Sequence, residues 1–408
     1  MNVYAWIILA ALLVRFILSV VSETLNLRAL RNDLPDEFEG VYDAEDYRKS
    51  QDYTRVRTRF GFVTLAFDTL ALLIFWFAGG FPWLDTWVRG FGYGPIVTGI
   101  AFMGVLVVGG QILSLPFEIY STFVIEGRFG FNRTTPKTFV IDLIKGLALG
   151  IAFGVPLLAA ILWFFERTGD MAWIYCWIVL TAFQLFALYF FPTWIMPLFN
   201  RFEPLAEGEL KDELLGYAKK VGFSLQGIFV MDGSRRSSRS NAFFTGFGKS
   251  KRIALFDTLV ENHSVPELTA ILAHEVGHYK KKHIFKGLIV GIVHFGVVFY
   301  LMSIFLRHEG LFTAFYVEQP SIYAGLIFFS MLYAPIELIL GIALNLMSRR
   351  HEFEADHYAA ETADGNAMVQ ALKKLSKDNL SNLTPHPFFV FLNYSHPPVL
   401  ERIRALRG

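Results

Sequence analysis

Residues 264–306 read SVPELTAILAHEVGHYKKKHIFKGLIVGIVHFGVVFYLMSIFL, and two kinds of segment meet in that stretch. Ser264, Pro266 and Glu267 form a capping box with proline in the first turn, which starts a helix. The helix runs through Leu268, Ile271 and Leu272 to Lys280, Lys281 and Lys282, whose charges suit its C-terminal dipole. Residues 285–306 then form an apolar run of the roughly 20 residues that span about 30 Å of hydrocarbon. A capped helix is thus followed almost directly by a transmembrane one. Inside the first helix lies His274-Glu275-Val276-Gly277-His278. A spacing of four puts both imidazoles on one helix face, where they can grip one metal ion. Zinc accepts two nitrogens and a carboxylate and keeps a fourth position for water. Glu275 can take a proton from that water, so metal-assisted peptide hydrolysis is the leading reading of the motif.

Outward from this stretch, six more runs have spanning length, near 4–22, 60–80, 95–120, 139–164, 171–198 and 322–347. The chain is 54% hydrophobic with 18% charged residues, and its mean hydropathy is +0.42, which excludes an ordinary soluble globule. Residues 1–14 carry no basic residue and no small-x-small cleavage site follows, so the first run is expected to remain as a span. The net charge of +1 and the lack of a basic stripe with interleaved aromatics give no sign of a nucleic-acid partner. The single cysteine, Cys176, sits in an apolar run and excludes disulfides within the chain.

Lysine and arginine set the orientation. Arg28, Arg31, Arg48, Lys49, Arg55, Arg57 and Arg59 follow the first span; Arg128, Arg133 and Lys137 follow the third. The loops after spans two, four and six hold one basic residue each: Arg89, Arg167 and Arg307. The N-terminus is therefore expected outside or in a lumen, with the C-terminus and the histidine motif in the cytosol. Ionisable residues also fall at membrane depth: Arg15, Asp68, Glu118, Asp142, Lys145, His294 and Glu337. Such charges are costly in lipid, so as a set they point to a polar, water-filled space between the helices. Asp142 and Lys145, three apart, can pair on one helix face.

In the cytosolic stretch, 209–221 reads as an amphipathic helix with Leu210, Leu214, Tyr217 and Val221 on one side. Residues 225–231 and 252–257 read as short strands. A third metal ligand is expected from the helical segment Arg349-Arg350-His351-Glu352-Phe353-Glu354-Ala355-Asp356-His357. Glu352 and Asp356 share a face, so one carboxylate can bind the metal while the other holds a ligating imidazole. His351 and His357 are further possible ligands, and Glu354 points elsewhere, towards solvent.

The chain resembles the type I CAAX prenyl endopeptidases, integral-membrane zinc proteases also called farnesylated-protein-converting enzymes. The likeness is carried by residues 116–134, 197–205, Gly233–Ser237, Ser240–Phe243, Lys251–Leu259, and Tyr394-Ser395-His396-Pro397-Pro398 with Glu401 and Arg402. It implies His274, His278 and Glu352 as zinc ligands, one ion per chain, with Glu275 as base and Asp356 behind the ligands. It also implies that Asn241 holds substrate backbone and that His396 and Arg402 steady the substrate carbonyl or oxyanion. Without the resemblance, His396 before two prolines reads as structural and Asn241 as an ordinary loop residue. The implied fold is an all-α polytopic membrane protein, seven transmembrane helices around an internal polar chamber, with a small cytosolic α+β metalloprotease part. Its divisions are 1–200 with spans one to five, 201–284 with the motif helix, 285–347 with spans six and seven, and a tail of 348–408.

The implied activity is endoproteolysis that removes the terminal tripeptide from CAAX-type proteins, whose C-terminal peptide lies along a strand near Asn241. Two rivals stand beside it: a broad quality-control zinc protease of membrane proteins, and a channel or transporter with a structural metal site. The short loop 307–321 and the ending Leu406-Arg407-Gly408, with no KDEL-like signal, suit a compact bacterial member. The expected setting is a bacterial inner membrane or the endoplasmic reticulum membrane.

Overall fold

The structure is a computed structural model and describes residues 1–245 and 251–408. Among these residues seven helices are long and apolar enough to cross a membrane. In order they are Val3–Arg28, Ala44–Phe77, Pro95–Glu126, Pro136–Arg167, Gly169–Phe199, His283–Phe305 and Ile322–Thr362, here called spans one to seven. Two extend well beyond their apolar runs. Span two begins at Ala44, capped by Asp43, whose carboxylate accepts the amides of Glu45 and Asp46 at 2.9 and 2.7 Å. Span seven continues past residue 347 to Thr362, so the segment with Glu352 and Asp356 is the end of a membrane helix. In both cases the polar extension contains no glycine or proline to stop the helix. Hydropathy ends the apolar run there, but not the helix.

Only 6–22% of each apolar window is buried, so most of each span's surface is left uncovered by protein, as a lipid-facing helix requires. Apolar packing concentrates at the two ends. At one end Trp76, Phe81, Leu84, Phe312, Phe315 and Phe328 form a core, and the Trp76 indole donates to the Ala314 carbonyl at 2.9 Å. At the other end a second core joins the motif helix, the sheet and the tail. Between them Asp68, Glu118 and Glu337 lie exposed on their helices, and Gln111 donates to Glu118 at 3.1 Å. A charge is costly in hydrocarbon, so these faces are expected to meet water or protein rather than lipid. The expected Asp142–Lys145 pair does not form. Asp142 instead takes a bidentate contact from Arg236, at 2.7 and 3.0 Å, and Lys145 donates to the Leu198 carbonyl at 2.6 Å. The planar fork of arginine matches a carboxylate better than a lysine one turn away.

A four-stranded sheet follows span five: β1 (Phe202–Pro204), β2 (Gly227–Met231), β3 (Ala242–Thr245) and β4 (Arg252–Phe256), in the order β1-β2-β4-β3. β2 and β4 are parallel and match the two expected strands; β1 and β3 are antiparallel additions of three and four residues. Helix Glu209–Lys220 buries Leu214, Tyr217 and Ala218 against the motif helix side of this core.

The motif helix, Val265–Lys280, starts at the expected capping box, where the Ser264 amide donates to Glu267 at 2.8 Å. It crosses span seven closely at Gly277. A Cβ there would stand 3.1 Å from both the Cα and the carbonyl oxygen of Ala355. Glycine at 277 and a fully buried alanine at 355 let the two helices approach, which carries His274 and His278 to Glu352. The helix ends as Lys282 takes a left-handed conformation (φ 59°), and span six begins at the next residue.

Candidate active site

His274 and His278 stand one turn apart on the motif helix, and Glu352 faces them from the end of span seven. The Nε2 atoms of the two histidines are 3.1 Å apart. Glu352 places its oxygens 3.5 Å from His274 Nε2 and 3.3 Å from His278 Nε2. The two imidazoles and both Glu352 oxygens therefore converge on one region, with one donor atom from each residue within 4.8 Å of the others; His274 and Glu352 are buried and His278 half-buried. Such a constellation is suited to a metal ion.

Asp356, one turn beyond Glu352, lies 2.9 Å from His274 Nδ1. Arg402, from the last helix (Val399–Arg407), donates to both Asp356 oxygens, at 2.7 and 2.6 Å. Its third nitrogen stands 3.5 Å from Glu352. Arg402 thus engages the carboxylates behind the donor set while also reaching the cavity wall. His396 is on the open side: its ring is largely exposed, with Nε2 3.5 Å from Glu352 and Nδ1 3.0 Å from the Ser395 hydroxyl. Asn241 lies exposed at the start of β3, its side-chain oxygen accepting the Ala242 amide at 2.9 Å.

All but His278 and Asp356 of the expected site residues line one cavity of about 1120 Å³. Its wall also takes Glu23 and Asn26 from span one and Tyr53, Arg57 and Gly61 from span two. Glu275 reaches this cavity from the motif helix. Burial lifts its carboxyl above the ordinary glutamate range, although the His274 and His278 rings pull in the opposite direction. A raised carboxylate beside a donor set is suited to accept and return a proton.

Other candidates lie elsewhere. His357 pairs with Glu361 on the exposed face of span seven, 3.0 Å away. His351 stacks on His283, ring centres 3.9 Å apart, away from the donor point. Glu354 is partly exposed but not free: it accepts from His283 Nε2 at 3.0 Å and from Arg350 at 3.2 Å. Sequence reasoning missed His283, whose signal was a third histidine five residues after His278.

A family model described as "Peptidase family M48" matches residues 204–408, the half of the chain that carries this donor set. The chain belongs to peptidase family M48. A second model, "CAAX prenyl protease N-terminal, five membrane helices", matches residues 23–201 of this M48 peptidase. Among curated relatives, "CAAX prenyl protease 1 homolog" of Arabidopsis thaliana is 35% identical, over 97% of this chain and 96% of its own. "CAAX prenyl protease 1" of Saccharomyces cerevisiae is also 35% identical, over 91% and 88%. The crystal structure of S. mikatae Ste24p superposes with a TM-score of 0.95 at 33% identity, covering 100% of both chains. The M48 chain is thus an integral, multi-pass membrane metallopeptidase, and the reading as a channel or transporter falls away.

Proposed function

We propose that this M48 peptidase is a zinc endopeptidase that removes the terminal tripeptide from CAAX-type proteins. The observation that carries the reading is the donor set: separations of 3.1, 3.3 and 3.5 Å at the wall of a peptide-sized cavity. A tetrahedral ion with bonds of about 2.1 Å holds its donors roughly 3.4 Å apart; the two Nε2 atoms are 3.1 Å apart and each has a Glu352 oxygen within 3.5 Å, so His274, His278 and Glu352 fit zinc. When bound, zinc supplies a Lewis acid and lowers the pKa of its water to about 7. Glu275 accepts the proton of the attacking water and delivers it to the leaving amine. His396, exposed above Glu352, donates to the scissile carbonyl oxygen as it gains charge. Asp356 holds His274 in the tautomer whose Nε2 is free to ligate, and Arg402 positions Asp356.

β3 is the edge of the sheet and, among the described residues, pairs only with β4. Its free edge begins at Asn241 on the cavity, so an extended C-terminal peptide adds there as a further strand. A prenyl chain on that peptide lies between the spans. The excess of lysine and arginine in the loops supports a cytosolic face for the sheet and the donor set, in a bacterial inner membrane or the endoplasmic reticulum membrane.

The test is cleavage of prenylated and unprenylated CAAX peptides by the purified full-length protein, with product masses read directly. Release of the terminal tripeptide is expected, faster from the prenylated peptide. Glu275→Gln is expected to slow cleavage by about 10²–10⁴-fold while retaining zinc. Wild-type cleavage by that variant would sink the assignment of Glu275. Cuts only at sites remote from the carboxyl terminus would sink the substrate.

A further inference from the structure

The other zinc-facing imidazole also has a chain of partners behind it. His278 Nδ1 lies 3.0 Å from His283 Nδ1, and His283 Nε2 lies 3.0 Å from a Glu354 oxygen. The His283 side chain is 4% exposed, and its ring stacks on His351 with planes 10° apart. We propose that His283 and Glu354 are positioning residues for the metal site, fixing the tautomer and orientation of the ligand His278. The proposal rests on the reading of His274, His278 and Glu352 as zinc ligands.

The assignment follows from counting hydrogens. Two Nδ1 atoms at 3.0 Å need one N–H between them. If His278 supplies it, its Nε2 keeps a lone pair for the metal. His283 then accepts at Nδ1, carries its own hydrogen on Nε2 and donates that to Glu354. Every nitrogen is satisfied. In the reverse pattern a neutral His283 donates from Nδ1 and turns a bare lone pair towards the Glu354 carboxylate. His278 then carries its hydrogen on Nε2 and cannot ligate. The carboxylate therefore selects the ligating tautomer, as Asp356 does for His274.

The backbone is shaped for this contact. Five residues along a continuous helix turn about 500°, which puts positions 278 and 283 roughly 140° apart around the axis. They meet because the left-handed Lys282 (φ 59°) breaks the helix between them. His283 opens span six and Glu354 lies on span seven, so the chain of bonds ties three helices together beside the donor set. Arg350 and Lys286, 3.2 and 4.0 Å from Glu354, help hold that carboxylate in place.

The test uses the full-length protein in detergent, with bound zinc measured against rising chelator and kcat and KM measured alongside. The wild type is measured first; a wild type without about one zinc overturns the underlying ligand reading. His283→Phe keeps a ring to stack on His351 but removes both hydrogen bonds. It is expected to retain zinc about 10–100-fold less tightly. His283→Gln, whose amide can accept from His278 and donate to Glu354, is expected to recover most of that loss. Glu354→Gln, at a half-exposed position, gives a variant that keeps the fold and is expected to weaken retention in the same direction. Wild-type retention in both His283→Phe and Glu354→Gln overturns the proposal. So does equal weakness of His283→Phe and His283→Gln, which would mean that ring packing rather than hydrogen bonding matters.

Discussion

Asp356 and Arg402 are joined by two hydrogen bonds, at 2.6 and 2.7 Å, with side chains 2% and 12% exposed. A buried pair of this kind is costly to break from one side, because the partner is left charged and unpaired. Arg402→Ala is therefore expected to destabilise the protein by about 3–5 kcal/mol, read as a lower thermal midpoint. The double variant Asp356→Asn/Arg402→Ala is expected to recover part of that loss; strictly additive effects would show that the two groups do not act as a pair. The residue types at the donor set were legible from the sequence, since a spacing of four fixes a helix face. Their outer partners were less so. Asp356 shares a face with Glu352, but Arg402 lies 46 positions away and its contact follows from tertiary packing. Glu354 looked solvated because helix periodicity pointed it away from Glu352. His283 reaches it from a helix break that periodicity does not reveal.

At the scale of elements, the site depends on how closely the motif helix crosses span seven. Gly277→Ala would press a methyl group against the Ala355 backbone at 3.1 Å, and neither backbone can yield cheaply. A loss of about 1–3 kcal/mol and weaker zinc retention are expected. Gly287→Ala, with nothing within 4 Å, is the control and should leave both unchanged or slightly improved. The cap of the same helix carries a pH dependence. Burial would raise the Glu267 carboxyl, but Lys374 and the Ser264 amide outweigh it and hold it below the ordinary range. Its folded value is depressed, so its contribution is present above about pH 4.3, the unfolded value, and is lost as pH falls through the folded one. Glu267→Gln should lower the thermal midpoint at neutral pH and flatten its decline on acidification. An acid limb identical to wild type would show that other carboxylates carry it. The capping box was plain in the sequence because its signals are local. The unity of span seven with the Glu352 segment was not, because the change from apolar to charged residues imitates a boundary.

At the scale of the molecule, a helical membrane body presents one small sheet and one donor set at a single end. The apolar cores lie at the two ends, while much of the spans' surface is uncovered by protein and carries some exposed charges. That arrangement sets the donor set on one cavity with the start of β3, whose outer edge is unpaired among the described residues. The proposed cytosolic placement rests on loop charge alone, since a bilayer normal has no sign in a packed structure. The one cysteine makes the orientation measurable. Cys176 is fully buried in span five, so an impermeant maleimide should leave the unaltered protein unlabelled in intact cells. Glu309→Cys adds a thiol at an exposed position between spans six and seven, and Lys219→Cys adds one on the helix packed against the motif helix. In intact cells carrying the protein in their outer boundary membrane, the thiol at 309 should label at once. The thiol at 219 should label only after the membrane is opened. The opposite pattern would turn the molecule over and put the donor set outside the cytosol, and labelling of both in intact cells would break the seven-span topology itself.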